Sequence, residues 1–365
     1  MRADAFVMRD VRLTVDDVVA RLGLRGGGVR WAEGLDALGP PPFDVELPAG
    51  GAAGALLARL QVDPADAADV LESLPSPERT PEWWWLLERS VHRLANSMGD
   101  PSQPHFGWPD WVASRPGVPL ARRCFMAHVF LATVPHTQEW HLARGIPDDV
   151  SWASLVDLGR HMAIHRRAYG ATGVDAAWWL SLCLRGEAFD LGRLQFTYFA
   201  LGRSDDTPWW YPWEEAEKLG DGFRRGDACI GVHIPESGPM TPEACDESFR
   251  QAAVFFDNHF PASAQERRLA TCWSWLLDDQ LANWLPEASN VVRFQRRFEL
   301  VPGSLGSDGN ALSFVFRKQP PPEGVTEEFL GSLPARTTLE RALVSHLRAG
   351  GEWCSRSGWV DLSAS

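Results

Sequence analysis

A histidine, a turn and a helix start follow one another in the segment ACIGVHIPESGPMTPEACDESFRQAAVFFDNHF, residues 228–260. Its first residues favour a strand over residues 228–235 that ends at His233-Ile234-Pro235, and the turn after it contains Gly238. Thr241 followed by proline is typical of a helix N-terminus. The free N–H groups and the positive dipole end of such a helix suit a phosphate or pyrophosphate. Against this, Glu236 opposes an anion and the turn carries no Lys or Arg.

The next predicted strand, residues 269–277, supplies a second set of polar side chains. Alternation within CWSWLLD predicts that Ser274 faces away from Trp273 and Trp275. Asp278 follows where a helix is expected to begin. An acid there stabilises the helix dipole and is also available for catalysis, and both interpretations stay open.

Three other kinds of site are considered in the sequence: a cysteine nucleophile, a serine hydrolase and a metal site. Cys272 and His233 lie on two predicted strands and are a conceivable nucleophile pair that would form an acyl-enzyme, although buried cysteines are usually inert. The Gly-x-Ser-x-Gly elbow of a serine hydrolase is absent from the sequence. His161 and His165 share a predicted helix face with Asp157, but neighbouring arginines repel a cation, and we expect no metal site.

Composition narrows the classes of protein. The 365 residues carry 35 basic and 48 acidic side chains, and the net charge of −13 argues against a DNA- or RNA-binding protein. We expect no membrane span, because no run of 18 apolar residues occurs. Six scattered cysteines and an N-terminus without an apolar core are typical of a reduced cytoplasmic protein without a secretory signal. The 18 tryptophans favour either an apolar pocket or core packing.

The hydrophobic periodicity changes after residue 177, from mainly helical to strand-rich. We expect helices over residues 10–25, 66–74, 82–99, 121–134 and 150–168. In the second part we expect strands over 178–185, 191–201, 228–235, 269–277, 291–301, 311–317 and 358–362, with helices over 241–260, 279–285 and 337–350. The first two strands are expected to form a hairpin around Gly186 and Glu187. This order predicts an α+β protein rather than a doubly wound fold.

Three segments together resemble the GNAT-like C-terminal domain of a two-domain actinobacterial acyltransferase family: HIPESGPMTPEACDESFRQA, CWSWLLDDQLANWLPEASNVVRFQRRFEL and TTLERALVSHLRAGGEW. The segments ARGIPDDVSWASLVDLGRHMAIHRRAYG and RGEAFDLGRLQFTYFALG are similar to the middle region of the same family. The resemblance covers roughly residues 120–365, and the region before it resembles the family's N-acyltransferase N-terminal domain. It implies a helical domain over 1–130 and a GNAT-like mixed-sheet domain over 131–365, with a boundary set only to within tens of residues.

The resemblance implies that residues 228–235 and 269–278 are the fourth and fifth GNAT strands, which splay apart and hold the pantetheine arm of an acyl-CoA. The residues expected to bind the donor are Ile234, Gly238, Met240 and Thr241. The loop departs from the family's usual Gln/Arg-x-x-Gly-x-Gly/Ala pattern because it has one glycine and no arginine. A donor bound to the phosphopantetheine of an acyl carrier protein therefore stays open beside acyl-CoA.

The activity implied is direct transfer of an acyl group from the pantetheine thioester to an amine of a small molecule. On this resemblance His233 is the expected base, and a core histidine bonded to a main-chain carbonyl is the alternative. Many members use a tyrosine after the fifth strand as the acid, but the last tyrosine here is Tyr211. Either Ser274, Asp278 or water takes that role, or the thiolate leaves without an acid.

The amine is expected in a cleft between the domains that is lined by tryptophans, among them Trp178, Trp210, Trp273 and Trp275. Two alternatives to direct transfer remain: a catalytically degenerate domain that binds a ligand or partner, and the acyl-enzyme route through Cys272.

Overall fold

The computed structural model describes residues 13–103, 106–109, 117–201, 218, 223–260, 269–306, 308–322 and 324–362. These residues form two compact units. The first unit lies within Met1–Met98, His105–Trp140 and Leu155–Arg185. The second lies within Gly99–Pro104, His141–Ser154 and Gly186–Ser365. The domain boundary expected near residue 130 stays a prediction; residues 130 and 131 lie inside a continuous helix.

All regular elements of the described chain before residue 186 are helices, which confirms the helical N-terminal region but not the strand expected over residues 178–185. Its helices are α1 (Val15–Leu22), α2 (Gly27–Leu38), α3 (Gly50–Arg59), α4 (Pro64–Glu72), α5 (Pro81–Asn96), α6 (Leu120–Ala143), α7 (Asp148–Leu155), α8 (Asp157–Tyr169) and α9 (Ala177–Leu184). The start of α1 is set by a capping box, in which Thr14 Oγ1 accepts from the Asp17 N–H and the Asp17 carboxylate accepts from the Thr14 N–H.

The long helix α5 shows how the apolar pattern builds the first unit. Leu86, Leu87, Val91 and Leu94 recur at helical spacing and are completely buried. Burying each such side chain stabilises the fold by about 2 kcal/mol. The apolar face of α5 is therefore the part of this helix that holds it in the unit.

The second part contains a mixed sheet with one long helix against it. The strands are β1 (Ala188–Leu191), β2 (Leu194–Ala200), β3 (Ala228–His233), β4 (Leu269–Ser274), β5 (Glu299–Leu300), β6 (Leu305–Gly306) and β7 (Cys354–Asp361). The helices are α10 (Pro242–His259), α11 (Asn290–Gln295), α12 (Asp308–Phe316), α13 (Glu327–Gly331) and α14 (Thr338–Arg348). The strand order is β1-β2-β3-β4-β7-β5, with β6 paired to β7.

Helix α10 packs on the sheet through the stripe that its sequence predicts. Cys245, Phe249, Ala252 and Phe256 are all buried. The ring of Phe249 lies 5.9 Å from that of Phe196 on β2, which ties the helix to the strand beside the splayed pair.

Several expected strands are wrong. Residues 178–185 form helix α9, residues 311–317 fall largely in helix α12, and residues 291–301 form helix α11 followed by the two-residue strand β5. The hairpin turns at Gly192 and Arg193, between β1 and β2, instead of at Gly186 and Glu187. Short apolar runs have no decisive period, because a fully buried helix and a fully buried strand show the same composition.

The central strands separate partway along their length. β3 and β4 are parallel and pair only at Ile230 with Ala270 and at Gly231 with Thr271. Beyond that point β3 continues along β2 up to His233, while β4 continues along β7. The two strands thus stop bonding to each other while each keeps its outer neighbour, which is the splay that the resemblance implies.

Candidate active site

The end of β3 places an imidazole beside a hydroxyl of the neighbouring strand. β2 and β3 are antiparallel, with Gln195 opposite His233 and Thr197 opposite Gly231. Oγ1 of Thr197 lies 3.0 Å from Nε2 of His233. If Nε2 carries the proton, it donates to the threonine oxygen and the lone pair is on Nδ1. His233 is therefore half-buried at the point where β3 separates from β4, and the Thr197 hydroxyl contacts one of its ring nitrogens.

The loop after His233 turns the chain into the start of α10. Gly238 has φ +67°, a left-handed conformation that glycine adopts without a steric penalty. Thr241 caps the helix, and its Oγ1 accepts from the Ala244 N–H at 3.3 Å. The expected donor residues Ile234, Gly238, Met240 and Thr241 thus lie on one continuous loop and helix start.

An arginine from outside this loop braces it. Arg193, in the β1–β2 turn, donates from Nε to the Pro239 carbonyl at 3.2 Å and from Nη1 to the Pro235 carbonyl at 3.1 Å. Its main-chain N–H is itself held by the Ser248 hydroxyl of α10 at 2.7 Å. Burial lowers the pKa of the Arg193 guanidinium from its usual value. The loop contains no basic residue of its own, but the fold supplies one.

Two further arginines add positive charge around the loop after β3 and the start of α10. Arg317 forms an ion pair with Glu236, which partly neutralises the acid that opposes an anion in the loop. Arg297 donates to the Asp246 carboxylate at 2.6 Å and to the Pro242 carbonyl at 3.0 Å. Neither arginine is near the loop in sequence, so only their position in the folded chain reveals these contacts.

Two family models match the chain in consecutive ranges. Residues 52–186 match the N-acyltransferase N-terminal domain, and residues 188–360 match the GNAT-like C-terminal domain. The crystal structure of an acyltransferase in complex with decanoyl-CoA is 37% identical, with a TM-score of 0.82, and the match covers 96% of this chain and 99% of that one. The chain belongs to this family of two-domain N-acyltransferases.

Other solved relatives of the N-acyltransferase contain further ligands. A crystal structure of an acyltransferase in complex with decanoyl-CoA and teicoplanin is 38% identical, with a TM-score of 0.80 over 96% of this chain and all of the other. A mutant acyltransferase in complex with octanoyl-CoA is 37% identical, with a TM-score of 0.81 over 96% of this chain and 99% of that one. A comparison with curated proteins found no match. These findings confirm the predicted α+β fold and the predicted N-acyltransferase activity.

The two polar residues expected as acids in the N-acyltransferase have different surroundings. Ser274 ends β4, and its Oγ accepts from the Leu276 N–H at 3.1 Å while its own proton can still be donated. Asp278 is 1% exposed and accepts from both nitrogens of Gln280 and, at 2.7 Å, from the Cys354 N–H. Its carboxylate therefore acts as a structural acceptor that joins the end of β4 to β7.

The thiol of Cys272 is poorly placed for an acyl-enzyme. It is 2% exposed, and burial raises its pKa to about 12, so the nucleophilic thiolate does not form near neutral pH. None of the six cysteines, all of which lie in the described part of the chain, forms a disulfide, and five of them are buried. The structure disfavours the acyl-enzyme alternative.

The expected substrate-contacting tryptophans differ in exposure. Trp178 on α9 is 49% exposed and Trp273 on β4 is 36% exposed. Trp275 is only 6% exposed and packs in a core cluster with Leu281 and Trp353, so the expectation that it lines an open cleft is corrected to a core role. Trp210 lies outside the described residues.

His161, His165 and Asp157 on α8 each contact a neighbouring residue of the protein. His165 Nδ1 lies 2.8 Å from the Ala171 carbonyl oxygen, and His161 faces Asp175 at 3.8 Å. Asp157 instead accepts from Trp179 and Arg160 at 2.7 Å each. The three side chains are therefore directed to different partners.

No helix of the described chain combines the length and apolarity that a membrane crossing needs.

Proposed function

We propose that this N-acyltransferase transfers a medium-length fatty acyl group from acyl-CoA to an amine of a teicoplanin-type glycopeptide. The observation that supports this most strongly is the match, over nearly its whole length, to acyltransferases whose crystal structures contain decanoyl-CoA and teicoplanin. A shared fold alone would not suggest an acceptor. The identity of 37–38% spans 96% of the chain, which supports carrying the activity over together with the fold.

Acyl-CoA is favoured over a carrier protein as the donor by the loop after β3. The splay of β3 from β4 leaves facing main-chain edges that suit the amide groups of pantetheine. Gly238 and Thr241 lie at the start of α10, where the helix dipole favours the pyrophosphate. Arg193 adds a positive charge at the same loop, and Arg317 offsets the charge of Glu236.

In the proposed reaction the acceptor nitrogen attacks the thioester carbonyl carbon, so that a C–N bond forms and the C–S bond breaks. The proton leaves the amine for the imidazole of His233, whose Nε2 lies 3.0 Å from Thr197 Oγ1, a contact that orients the ring. Main-chain N–H groups of β3 stabilise the negative charge that develops on the carbonyl oxygen. The Ser274 hydroxyl donates a hydrogen bond to the departing thiolate, and the proton that His233 has taken up passes to that thiolate or to solvent, whereas Asp278 accepts from the N–H donors around it.

We infer that Trp178 and Trp273 contact the acceptor, as the sequence predicts. Each presents an aromatic surface to solvent within its own unit, and aromatic side chains bind the aryl groups of peptides by stacking.

The test combines the purified protein with decanoyl-CoA and a teicoplanin-type glycopeptide that has a free amine. Mass spectrometry should show a glycopeptide heavier by one decanoyl group, with release of one CoA per product. His233→Ala should lower kcat by about 100-fold or more because the base is lost. The matched control His259→Ala, which removes a histidine at the end of α10, should retain activity.

Two results would count against parts of this proposal separately. Full activity of His233→Ala would remove His233 as the base. Turnover of simple amines without any turnover of the glycopeptide would remove the proposed acceptor while leaving acyl transfer intact.

A further inference from the structure

A cavity of about 670 Å3 lies in the first unit, apart from the residues assigned above to acyl transfer. It opens between the α1–α2 connection, α5, the segment 106–109 and the start of α6. Its lining residues are Gly23, Leu24, Arg25, Gly27, Gly28, Arg30, Trp31, Arg93, Phe106, Gly107, Trp108, Pro109 and Arg122. This volume is in the range of cavities that bury small organic ligands.

The cavity is strongly basic. Four arginines line it, and none of its described lining residues is acidic. Within the part of the chain that the structure describes, no carboxylate lies within ion-pair distance of Arg25, Arg30 or Arg93. Such a concentration of positive charge is unexpected in a protein with a net charge of −13. Guanidinium groups that converge on one space repel each other, and an anion between them removes that repulsion.

The helix that begins at this cavity adds to the positive potential. α2 starts at Gly27 without a side-chain cap and without an acidic residue in its first turn. An uncapped helix N-terminus carries a partial positive charge, and here Gly27 and Gly28 both line the cavity. The absence of side chains at these glycines lets a ligand approach the main chain closely.

The cavity lining also contains aromatic side chains. The rings of Phe106 and Trp108 lie 4.3 Å apart, and the ring of Trp31 lies 5.8 Å from that of Trp108. The Trp108 indole N–H donates to the Ser181 hydroxyl at 2.6 Å, which fixes the orientation of this ring. Trp31 and Phe106 are only 5% and 3% exposed and support Trp108, which is half-buried and presents the aromatic surface that suits stacking against another planar ring.

Two of the arginines are positioned before any ligand arrives. The Arg122 guanidinium donates to the Leu22 carbonyl at the end of α1. The Arg93 guanidinium lies 4.6 Å from the centre of the Phe106 ring, and burial lowers its pKa from the usual value. Pre-positioned guanidinium groups bind carboxylate and phosphate in paired hydrogen bonds at a smaller cost in side-chain entropy.

We propose that this cavity binds an aromatic molecule that carries a carboxylate or a phosphate. The ring stacks on Trp108, which Trp31 and Phe106 support from behind, and the oxyanion is held by Arg30 and Arg93. A nucleotide and an aromatic peptide carboxylate share this chemistry, and they differ in charge and in ring type.

The experiment is isothermal titration of the full-length protein with two probes, adenosine 3′,5′-bisphosphate and N-acetyl-tyrosyl-tyrosine. Adenosine and the amide of the peptide, which lack the oxyanions, serve as the matched neutral ligands. The variants are Arg30→Gln and Arg93→Gln, and the control is Arg79→Gln, an arginine of the same unit that does not line the cavity. Thermal melts check that each variant is folded.

We expect at least one anionic probe to bind with a Kd in the micromolar range and its neutral counterpart to bind at least tenfold more weakly. Arg30→Gln and Arg93→Gln should each weaken binding by about five- to tenfold, and Arg79→Gln by less than twofold. A preference for the bisphosphate identifies a nucleotide, and a preference for the peptide identifies an aromatic carboxylate. Absence of binding by both probes at millimolar concentration, or binding that neither variant weakens, would overturn the proposal.

Discussion

The Thr197 hydroxyl occupies the space into which a side chain on Gly231 would project. The two residues are opposite each other in the β2–β3 ladder, and a Cβ atom on Gly231 would collide with Oγ1 of Thr197 and lie 3.1 Å from Nε2 of His233. Gly231→Ala must therefore displace the pair on which the proposed base depends. Because misplacement of a catalytic group by about 1 Å costs on the order of 100-fold, we expect kcat to fall at least tenfold.

The control for this variant is Gly226→Ala. Gly226 lies before β3 and has φ +93°, with open space where its Cβ would be, so that substitution strains the backbone without reaching His233. Initial rates with decanoyl-CoA and circular dichroism distinguish a local effect from unfolding. Equal kcat for Gly231→Ala and the wild type would show that the Thr197–His233 contact is dispensable.

Thr197→Val removes the hydroxyl while keeping the shape of the side chain. We expect kcat to fall by about tenfold with little change in the KM for the donor, because the imidazole loses its orientation rather than a substrate contact. Thr197→Ser should restore most of the activity, since it returns the hydroxyl. A purely structural role of Thr197 would lower stability in both variants and would show no rescue by serine in kcat.

Arg193→Gln tests the brace on the loop after β3. The substitution removes a charge and the hydrogen bonds to the carbonyls of Pro235 and Pro239. Hydrogen bonds from charged groups are worth about 1.5–3 kcal/mol each, so we expect the KM for decanoyl-CoA to rise at least tenfold. Arg250→Gln, at an exposed arginine of α10 paired with Glu247, is the matched control and should leave KM unchanged. An unaltered KM in Arg193→Gln would separate this loop from donor binding.

Cys272→Ala tests the covalent alternative. With burial raising the thiol pKa to about 12, we expect the variant to keep its turnover to within about threefold and the wild type to show no acylated protein by mass spectrometry. Loss of turnover together with a trapped acyl group on the wild-type chain would instead establish an acyl-enzyme.

Stability should depend on pH through His128 of α6. Burial lowers its pKa to about 4, and its Nε2 lies 3.1 Å from the Val70 carbonyl oxygen. In the unfolded chain a histidine titrates near 6.5, so the unfolded state binds more protons between about pH 6.5 and 4. The stabilising effect of neutral His128 is complete above pH 6.5 and is lost as the pH falls towards 4, by about 3 kcal/mol.

The measurement is urea unfolding across this pH range for the wild type and for His128→Gln, whose amide keeps a donor without titrating. We expect the variant to have a shallower pH dependence, by up to about 1.4 kcal/mol per pH unit. Some slope should remain, because burial also lowers the pKa of His141 to about 4. Parallel curves for the two proteins would show that His128 does not titrate on unfolding.

Local signals in the sequence were sufficient for the elements on either side of the site. A threonine and proline pair marked the start of α10, and the spacing from Cys245 to Phe256 marked its buried face, because capping and helical periodicity act between residues a few positions apart. The strand predicted over residues 228–235, which the structure ends at His233, also follows from a local signal, a run of β-forming residues before a turn. The segments that form α9 and α12 were assigned wrongly, since a short run that is apolar on all sides is decided by its neighbours in space rather than by its own period.

The sequence by itself determined that the chain is an α+β protein, that a strand containing His233 comes shortly before a helix N-terminus, and which family it resembles. Only the tertiary structure decided which partners those residues have. Thr197 meets His233 through the β2–β3 register, Arg193 reaches the loop from another turn, and Asp278 and Trp275 are packed away from solvent. Such contacts join residues far apart in the chain, and they follow from sheet register and burial, which no local pattern encodes.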